Sequence, residues 1–422
     1  MALAPRFNLA AQLGGLLAVA GLTGCCFTPV AEGGSTAGGS AAGRIATGVG
    51  ATCPLGKSSM FGAQVAYTVG FAPTSVAVGD FNGDGKPDLA VANMNSAVAN
   101  MDGTVSVLLN AGGGTFSPQV TYPVGSTNST CVAVGDFNGD GKPDLAVATW
   151  SLAQNGENGS GSVLLNQGGG AFGAPMIYST GYEPSSVAVG DFNGDGKPDL
   201  AVADPGDNTL SVLLNEGGGR FAEAVPYVIR HAPDSVAVGD FNGDGKPDLA
   251  VAIALAGTVD VLLNQGDGTF GAPMIYVLGS DPSSVAVGDF NGDGKPDLAV
   301  TDDMDATVSV LLNQGGGTFS ARMIYRVGSG SGSDAASVAV GDFNGDGMLD
   351  LAVANEFDGT VSVLLNQGGE TFGPQTLYAV GSEITSEPTS VAVGDFNGDG
   401  RPDLAIANGG DNTVVVLLNG CQ

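Results

Sequence analysis

The nine residues DFNGDGKPD, Asp80 to Asp88, carry side-chain oxygens at positions 1, 3, 5 and 9: Asp80, Asn82, Asp84 and Asp88. Position 7, Lys86, adds a backbone carbonyl. Hard oxygen donors at alternate positions curl around a cation of calcium size, which accepts about six to eight oxygens at adaptable angles. Magnesium keeps its waters and demands an octahedron, so it suits the pattern less well. Gly85 at position 6 permits the positive φ of a sharp turn, and Pro87 stiffens the exit. The competing reading is an Asx-rich hairpin turn that holds no ion. Three carboxylates within nine residues repel one another unless a cation neutralises them, which favours the ion.

The stretch recurs six more times. The equivalent donors are Asp136, Asn138, Asp140, Lys142 and Asp144, then Asp191, Asn193, Asp195, Lys197 and Asp199, then Asp240, Asn242, Asp244, Lys246 and Asp248. Further along come Asp289, Asn291, Asp293, Lys295 and Asp297, then Asp342, Asn344, Asp346, Met348 and Asp350, and last Asp395, Asn397, Asp399, Arg401 and Asp403. Met348 and Arg401 replace the usual lysine, but only a backbone oxygen is needed there. The pattern is not an EF-hand, since no Glu follows at position 12 and the flanks read as strands.

These loops need elements to hold them. SVAVGDF (235–241), DLAVA (248–252), TVDVLLN (258–264) and FGAPMIYVLG (270–279) are short apolar, β-branched runs bounded by Gly, Pro, Asp and Asn, which signals strands. No segment shows a useful helical period. Four antiparallel strands recurring every 49 to 56 residues predict an all-β, seven-bladed β-propeller of four-stranded antiparallel blades. The ends of the array predict closure: residues 61–70 form a fourth-type strand with no preceding partners, and the chain finishes after a third-type strand at 413–419. Pairing the two removes exposed sheet edges. Cys53 and Cys421 flank those strands and are expected to form a disulfide in an oxidising compartment; two unpaired thiols are the alternative.

In this setting the loops resemble the FG-GAP or VCBS repeats of integrin α-subunit propellers, over roughly residues 61 to 419. The resemblance implies that each loop joins the first and second strands of its blade. It also implies calcium on the lower face, up to seven ions serving as structural pins.

Of the 422 residues, 43 are acidic and 13 are Lys or Arg, for a net charge of −30. Three Asp in each of seven loops account for 21 of the acids, so the charge is largely local and calls for cations. Six of the basic residues lie within these loops, and no basic footprint for nucleic acid exists. At the N-terminus, residues 1–24 read as an export signal: Arg6, the apolar run LAAQLGGLLAVAGL, then LTGC ending at Cys25. LTGC resembles a bacterial lipobox, which implies cleavage before Cys25 and lipidation of its sulfur; an ordinary secretory signal is the alternative. Residues 25–60 read as a lipidated cysteine and a Gly/Ser/Ala-rich tether. The expected location is a bacterial cell surface or outer membrane, or else secreted or periplasmic, with membrane contact only through the lipid and a monomeric chain.

Strand alternation puts the ion loops and the LLNQGGGTF turns on one face and the two divergent loop classes on the other. Fourteen of 18 Phe and seven of eight Tyr occupy repeated, scaffold positions. Beyond the signal and tether, Phe71, Trp150, Tyr182 and Phe357 are left over, all mapping to the divergent face with the basic pair Arg230 and His231. Aromatics among Asn and Asp suit a sugar or protein contact; covering a local loop is the alternative. With one His, no GxSxG and no HExxH, no catalytic residue can be named. The expected function is a calcium-binding, surface-tethered binding or adhesion module for a protein or glycan. The alternatives are a secreted lectin-like propeller and a polysaccharide-acting lyase or hydrolase.

Overall fold

The DLAVA runs are apolar at nearly every position rather than at alternate ones, and such a strand must be covered on both faces. In the computed structural model, which describes residues 60–94, 103–151, 159–279, 281–330, 332, 334–381 and 386–420, they are the second strands of seven blades. Asp88–Asn93, Asp199–Asp204, Asp248–Ile253, Asp297–Asp302, Asp350–Asn355 and Asp403–Asn408 are buried from end to end, each sandwiched between neighbouring blades.

Blade 1 is the antiparallel sheet Pro73–Gly79, Asp88–Asn93, Thr104–Leu108 and Val120–Pro123. Blades 2 to 7 repeat it from first strands Asn128–Gly135, Ser186–Gly190, Pro233–Gly239, Pro282–Gly288, Ala335–Gly341 and Pro388–Gly394. Blade 7 takes its outer strand from the start of the described chain: Val65–Thr68 pairs antiparallel with Thr413–Leu417, Val65 opposite Val416 and Thr68 opposite Thr413. This is the closure the sequence predicts. The described helical content is two single 3₁₀ turns, Ala254–Ala256 and Glu356–Asp358. Among the described residues no helix is long and apolar enough to cross a membrane. The export signal, Cys25, the tether, Cys53 and Cys421 lie outside them.

First strands lie against one another around the ring. Val76 N donates to Ser390 Oγ, Val132 N to Ser75 Oγ, and the pattern repeats at Ser186, Ser235, Ser284 and Ser337, at 3.3 to 3.4 Å. The seventh place in this ring holds Cys131, fully buried and disulfide-bonded.

The core lies between blades, as seven clusters, each combining two neighbours. At the first seam Ala77, Phe81, Ala90 and Val105 of blade 1 meet Val132, Leu145, Val147 and Phe172 of blade 2. Every seam carries one edge-to-face aromatic triad: Phe81 and Tyr122 both meet Phe172 at 5.5 Å, and the last seam is completed by Phe61, 5.8 Å from Phe343 and 5.2 Å from Tyr378. The repeated Phe and Tyr are therefore scaffold, as expected; burying each Phe contributes about 1.5 to 3 kcal/mol.

Candidate functional site

The DFNGDGKPD loops join the first and second strands of each blade. Within the first, Asp80 Oδ1 accepts hydrogen bonds from Gly83 N and Asp84 N at 2.8 and 3.0 Å, and its Oδ2 accepts from Gly85 N at 2.8 Å. Asn82 Oδ1 accepts from Asp84 N, and Asp84 Oδ1 from Lys86 N. Gly83 and Gly85 sit at φ +77° and +80°, where a side chain is strained, and this is what lets successive N–H groups turn inward. The Lys86 ammonium folds back onto Asp84 Oδ2 at 2.6 Å, and the same pair recurs in the next four loops. In the sixth loop, where Met348 replaces lysine, Asn344 Nδ2 donates to Asp346 Oδ2 instead.

The ninth residue has a second role that the sequence reading missed. Asp88 is fully buried; its Oδ2 accepts from Phe81 N and its Oδ1 from Asn110 N, which ties the ion loop to the turn between strands three and four. All seven copies do this, at 2.9 to 3.0 Å and 2.6 to 2.8 Å. Asn110 also donates from Nδ2 to Pro87 O and across the seam to Phe396 O. The signal was present in the sequence as the Asn of every LLN turn.

Burial pushes the Asp88 carboxyl up to about 6, partly offset by the bonds from Asn110 and Phe81 and reinforced by the charge of Asp80. Asp144, Asp199, Asp297 and Asp403 behave alike, and Asp350, in the loop without an ammonium, reaches about 7 with Asp346 and Asp342 adding to burial. Among the described residues no three His, Cys, Asp or Glu side chains converge as a metal cluster. The donors of each loop nevertheless fit a hard cation: all are oxygens, the three carboxylates share one turn, and the oxygens that accept a single bond, such as Asp80 Oδ2 and Asp84 Oδ1, retain lone-pair capacity.

A cleft of about 340 Å³ opens between blades 1 and 2 on this face, lined by Asp80–Gly83, Gly141–Pro143, Gly168 and Gly169.

The opposite face carries the divergent loops. Phe71 and Phe357 are exposed at 51% and 50%, and Arg230 and His231 are exposed beside the buried Asp260, whose burial-raised carboxyl they draw back down. Tyr182 lies over Gly206, where an added Cβ would come within 2.1 Å of its ring. Trp150 is the half-buried end of the second strand of blade 2, paired with Asn128 and Gly159, its Nε1 buried without a hydrogen-bond partner among the described residues. Gly159 lies against the carbonyl of Gly181, so Trp150 and Tyr182 sit on neighbouring segments.

Two features of this face escaped sequence reasoning. Leu255 and Met304, exposed at 77% and 55%, stand at the same turn position as Phe357 and were passed over for being aliphatic. A string of acids outside the ion loops also gathers here. Burial raises Asp234 and Asp303 to about 7, with Asp281 acting on both and Asp334 on Asp303. It raises Glu356 to about 8, with Asp303, Glu387 and Asp334 adding to it.

Segments 95–147, 150–202, 191–251, 240–300, 289–353 and 342–406 match the FG-GAP-like repeat, and 72–108 and 132–165 match the FG-GAP repeat. Human integrin alpha-7 is 43% identical over 79 residues, a match spanning 17% of this chain and 7% of that protein. Similar solved structures include an Agrocybe aegerita lectin that recognises non-reducing terminal N-acetylglucosamine (TM-score 0.50, 22% identity, 82% of this chain and 86% of that one). Virginiamycin B lyase from Staphylococcus aureus gives a TM-score of 0.58 at 12% identity, over 84% and 98% of the two chains. The periplasmic gluconolactonase of Pseudomonas aeruginosa gives 0.56 at 20%, over 74% and 86%. At these identities the likeness is one of fold.

Proposed function

This chain belongs to the FG-GAP-like repeat family, and we propose that it is a calcium-stabilised binding module that engages a protein or glycan through the face opposite its ion loops. The observation that carries this reading is the contrast between the faces. Seven loops on one side repeat the same donor set and the same hydrogen bonds, as structural parts do, while the other side differs from blade to blade and exposes Phe71, Tyr182, Leu255, Met304 and Phe357. In the first loop the holders of calcium would be the side chains of Asp80, Asn82, Asp84 and Asp88 and the carbonyl of Lys86, and likewise in the other six. The ion supplies positive charge that lets the crowded carboxylates ionise together and pins the loop. FG-GAP repeats are typical of extracellular domains, which agrees with an exported, surface-held chain anchored at Cys25.

A lectin-like reading comes second, supported by the cleft between blades 1 and 2 and by the likeness to a sugar-binding propeller. A glycan array probed with the wild type, Trp150→Ala and Phe357→Ala separates the readings. Loss of binding in Phe357→Ala supports the divergent face, and unchanged binding in both variants points to the cleft.

A further inference from the structure

The divergent face, read as the binding face, presents one position that recurs from blade to blade. In blades 3 to 6 the second strands end at Asp204, Ile253, Asp302 and Asn355, and the second residue beyond is Gly206, Leu255, Met304 and Phe357. Leu255, Met304 and Phe357 leave most or half of their surface in water, and the place over Gly206 is taken by the Tyr182 ring, 38% exposed. Single exposed apolar residues need no explanation, but a large apolar side chain at or over the same place in four consecutive blades is a repeated feature of this face.

Carboxylates accompany this arc. Asp303 precedes Met304 and Glu356 precedes Phe357, and Asp303 N and Glu356 N bond the carbonyls of Asp281 and Asp334. The charged groups acting on Asp234, Asp303, Asp334 and Glu356 are all carboxylates, and Asp303 Oδ1 is buried with no hydrogen-bond partner. The acids therefore raise one another from blade 4 to blade 7 and ionise fully only beside a positive charge, so a cationic ligand is favoured by the protons it displaces.

We propose that this arc docks a cationic segment of a partner protein, its lysine or arginine side chains meeting the acids and its aliphatic or aromatic side chains covering Tyr182, Leu255, Met304 and Phe357. Apolar anchors at the centre with complementary charge around them are what a specific interface requires. An anionic membrane surface would be repelled, and a sugar would leave the aliphatic side chains uncovered.

The test uses the full chain and a labelled peptide of alternating lysine and leucine, with lysine–serine and glutamate–leucine peptides beside it, read by fluorescence anisotropy. The lysine–leucine peptide should bind, and binding should weaken about tenfold in Met304→Ser/Phe357→Ser and in Asp303→Asn/Glu356→Gln. It should be unchanged in Glu216→Gln/Glu370→Gln, which removes two carboxylates from exposed turns on the face of the acidic loops. Melting curves check that each variant is folded. Equal weakening in all the acid variants, or no effect of the apolar pair, would mean that only the net charge of −30 attracts the peptide, and the proposal fails. Failure with the peptide but glycan binding lost in Phe357→Ser overturns the cationic partner and leaves the binding face standing. If no ligand's binding responds to these variants, both readings fall.

Discussion

Asn110 Nδ2 donates to the backbone carbonyl of Phe396 at 2.9 Å, joining the first blade to the last across 286 residues of chain. The same bond links every neighbouring pair: Asn166 to Phe81, Asn215 to Phe137, Asn264 to Phe192, Asn313 to Phe241, Asn366 to Phe290 and Asn419 to Phe343, at 2.7 to 3.0 Å. The Phe in each case follows the first Asp of an ion loop. Each asparagine also takes its backbone N–H to the ninth Asp of its own blade. An ion loop is thus bound to two blades at once, and a change in the loop is felt at a seam.

Asn110→Ala should test that coupling. It strands the carbonyl of Pro87, leaves that of Phe396 with the Gly114 N–H alone in a site where Asn110 itself is 2% exposed, and removes the acceptor of Gly112 N. The expected cost is about 2 to 4 kcal/mol, several buried bonds at once, read by urea denaturation. Asn264→Ala should match it because its partners are equivalent. A loss confined to Asn110 would mean that closure alone is weak, not that seams share one design.

Calcium and pH should act together. Asp88 has a folded value of about 6 against an ordinary 3.8, so between those values the folded chain holds protons that the unfolded chain has released. Stability of the calcium-free protein must therefore fall as pH rises through this window, the reverse of a salt-bridged carboxylate. Calcium favours the ionised loops, so its stabilising effect should grow across the same window. The melting temperature of calcium-depleted protein should be higher near about pH 5 than near about pH 7.5, with added calcium raising it mainly at the latter. A melting curve indifferent to calcium at both values removes the ion from the account.

Much of this was legible because the repeat is nearly exact. Strand order, blade number and closure by Val65–Thr68 follow from runs that recur with their turns. That the seven acidic loops each join a first strand to a second was legible from their repetition between strand runs. Asp88 as a buried tie and Asn110 as a seam bond were not, because a carboxylate or amide looks the same in sequence whether it faces an ion or a backbone N–H. Nor were Leu255 and Met304, whose exposure depends on where the turn points them. The acids Asp234, Asp303 and Glu356 were submerged in a total that the ion loops dominate, and only folding brings them within range of one another.

The lysine of the loop should compete with the ion. The Lys86–Asp84 pair is exposed, so it adds little to stability, but its ammonium occupies a carboxylate that calcium needs. Lys86→Met, which copies the natural Met348, should strengthen calcium binding at that loop by about two- to fivefold without shifting the calcium-free melting temperature. Met348→Lys should do the opposite in the sixth loop. Calorimetric titration of each variant measures the change, and weaker binding in Lys86→Met would show that the lysine assists the ion.

Blade 7 buries an amide bonded at neither end, where its neighbours leave only Oδ1 of the equivalent asparagine unbonded among the described residues. At the end of the second strand, Asn93 Nδ2 donates to Ser106 Oγ and Asn355 Nδ2 to Ser362 Oγ, while Asp204 and Asp302 accept from Ser211 and Ser309. In blade 7 the serine position is Val415, and Asn408 is fully buried with neither Nδ2 nor Oδ1 partnered. Blade 4 places Ile253 at this position and buries it to 1% exposure, so the site accepts an apolar side chain. Asn408→Val should therefore stabilise the protein, by about 1 to 3 kcal/mol from the two polar atoms no longer buried without bonds. Chemical denaturation measures it, with Asn355→Val as the contrasting case: there the substitution removes the bonds from Nδ2 to Thr360 and Ser362 and should destabilise. If both variants lose stability alike, the amide of Asn408 is satisfied in solution and the blade has no defect to repair.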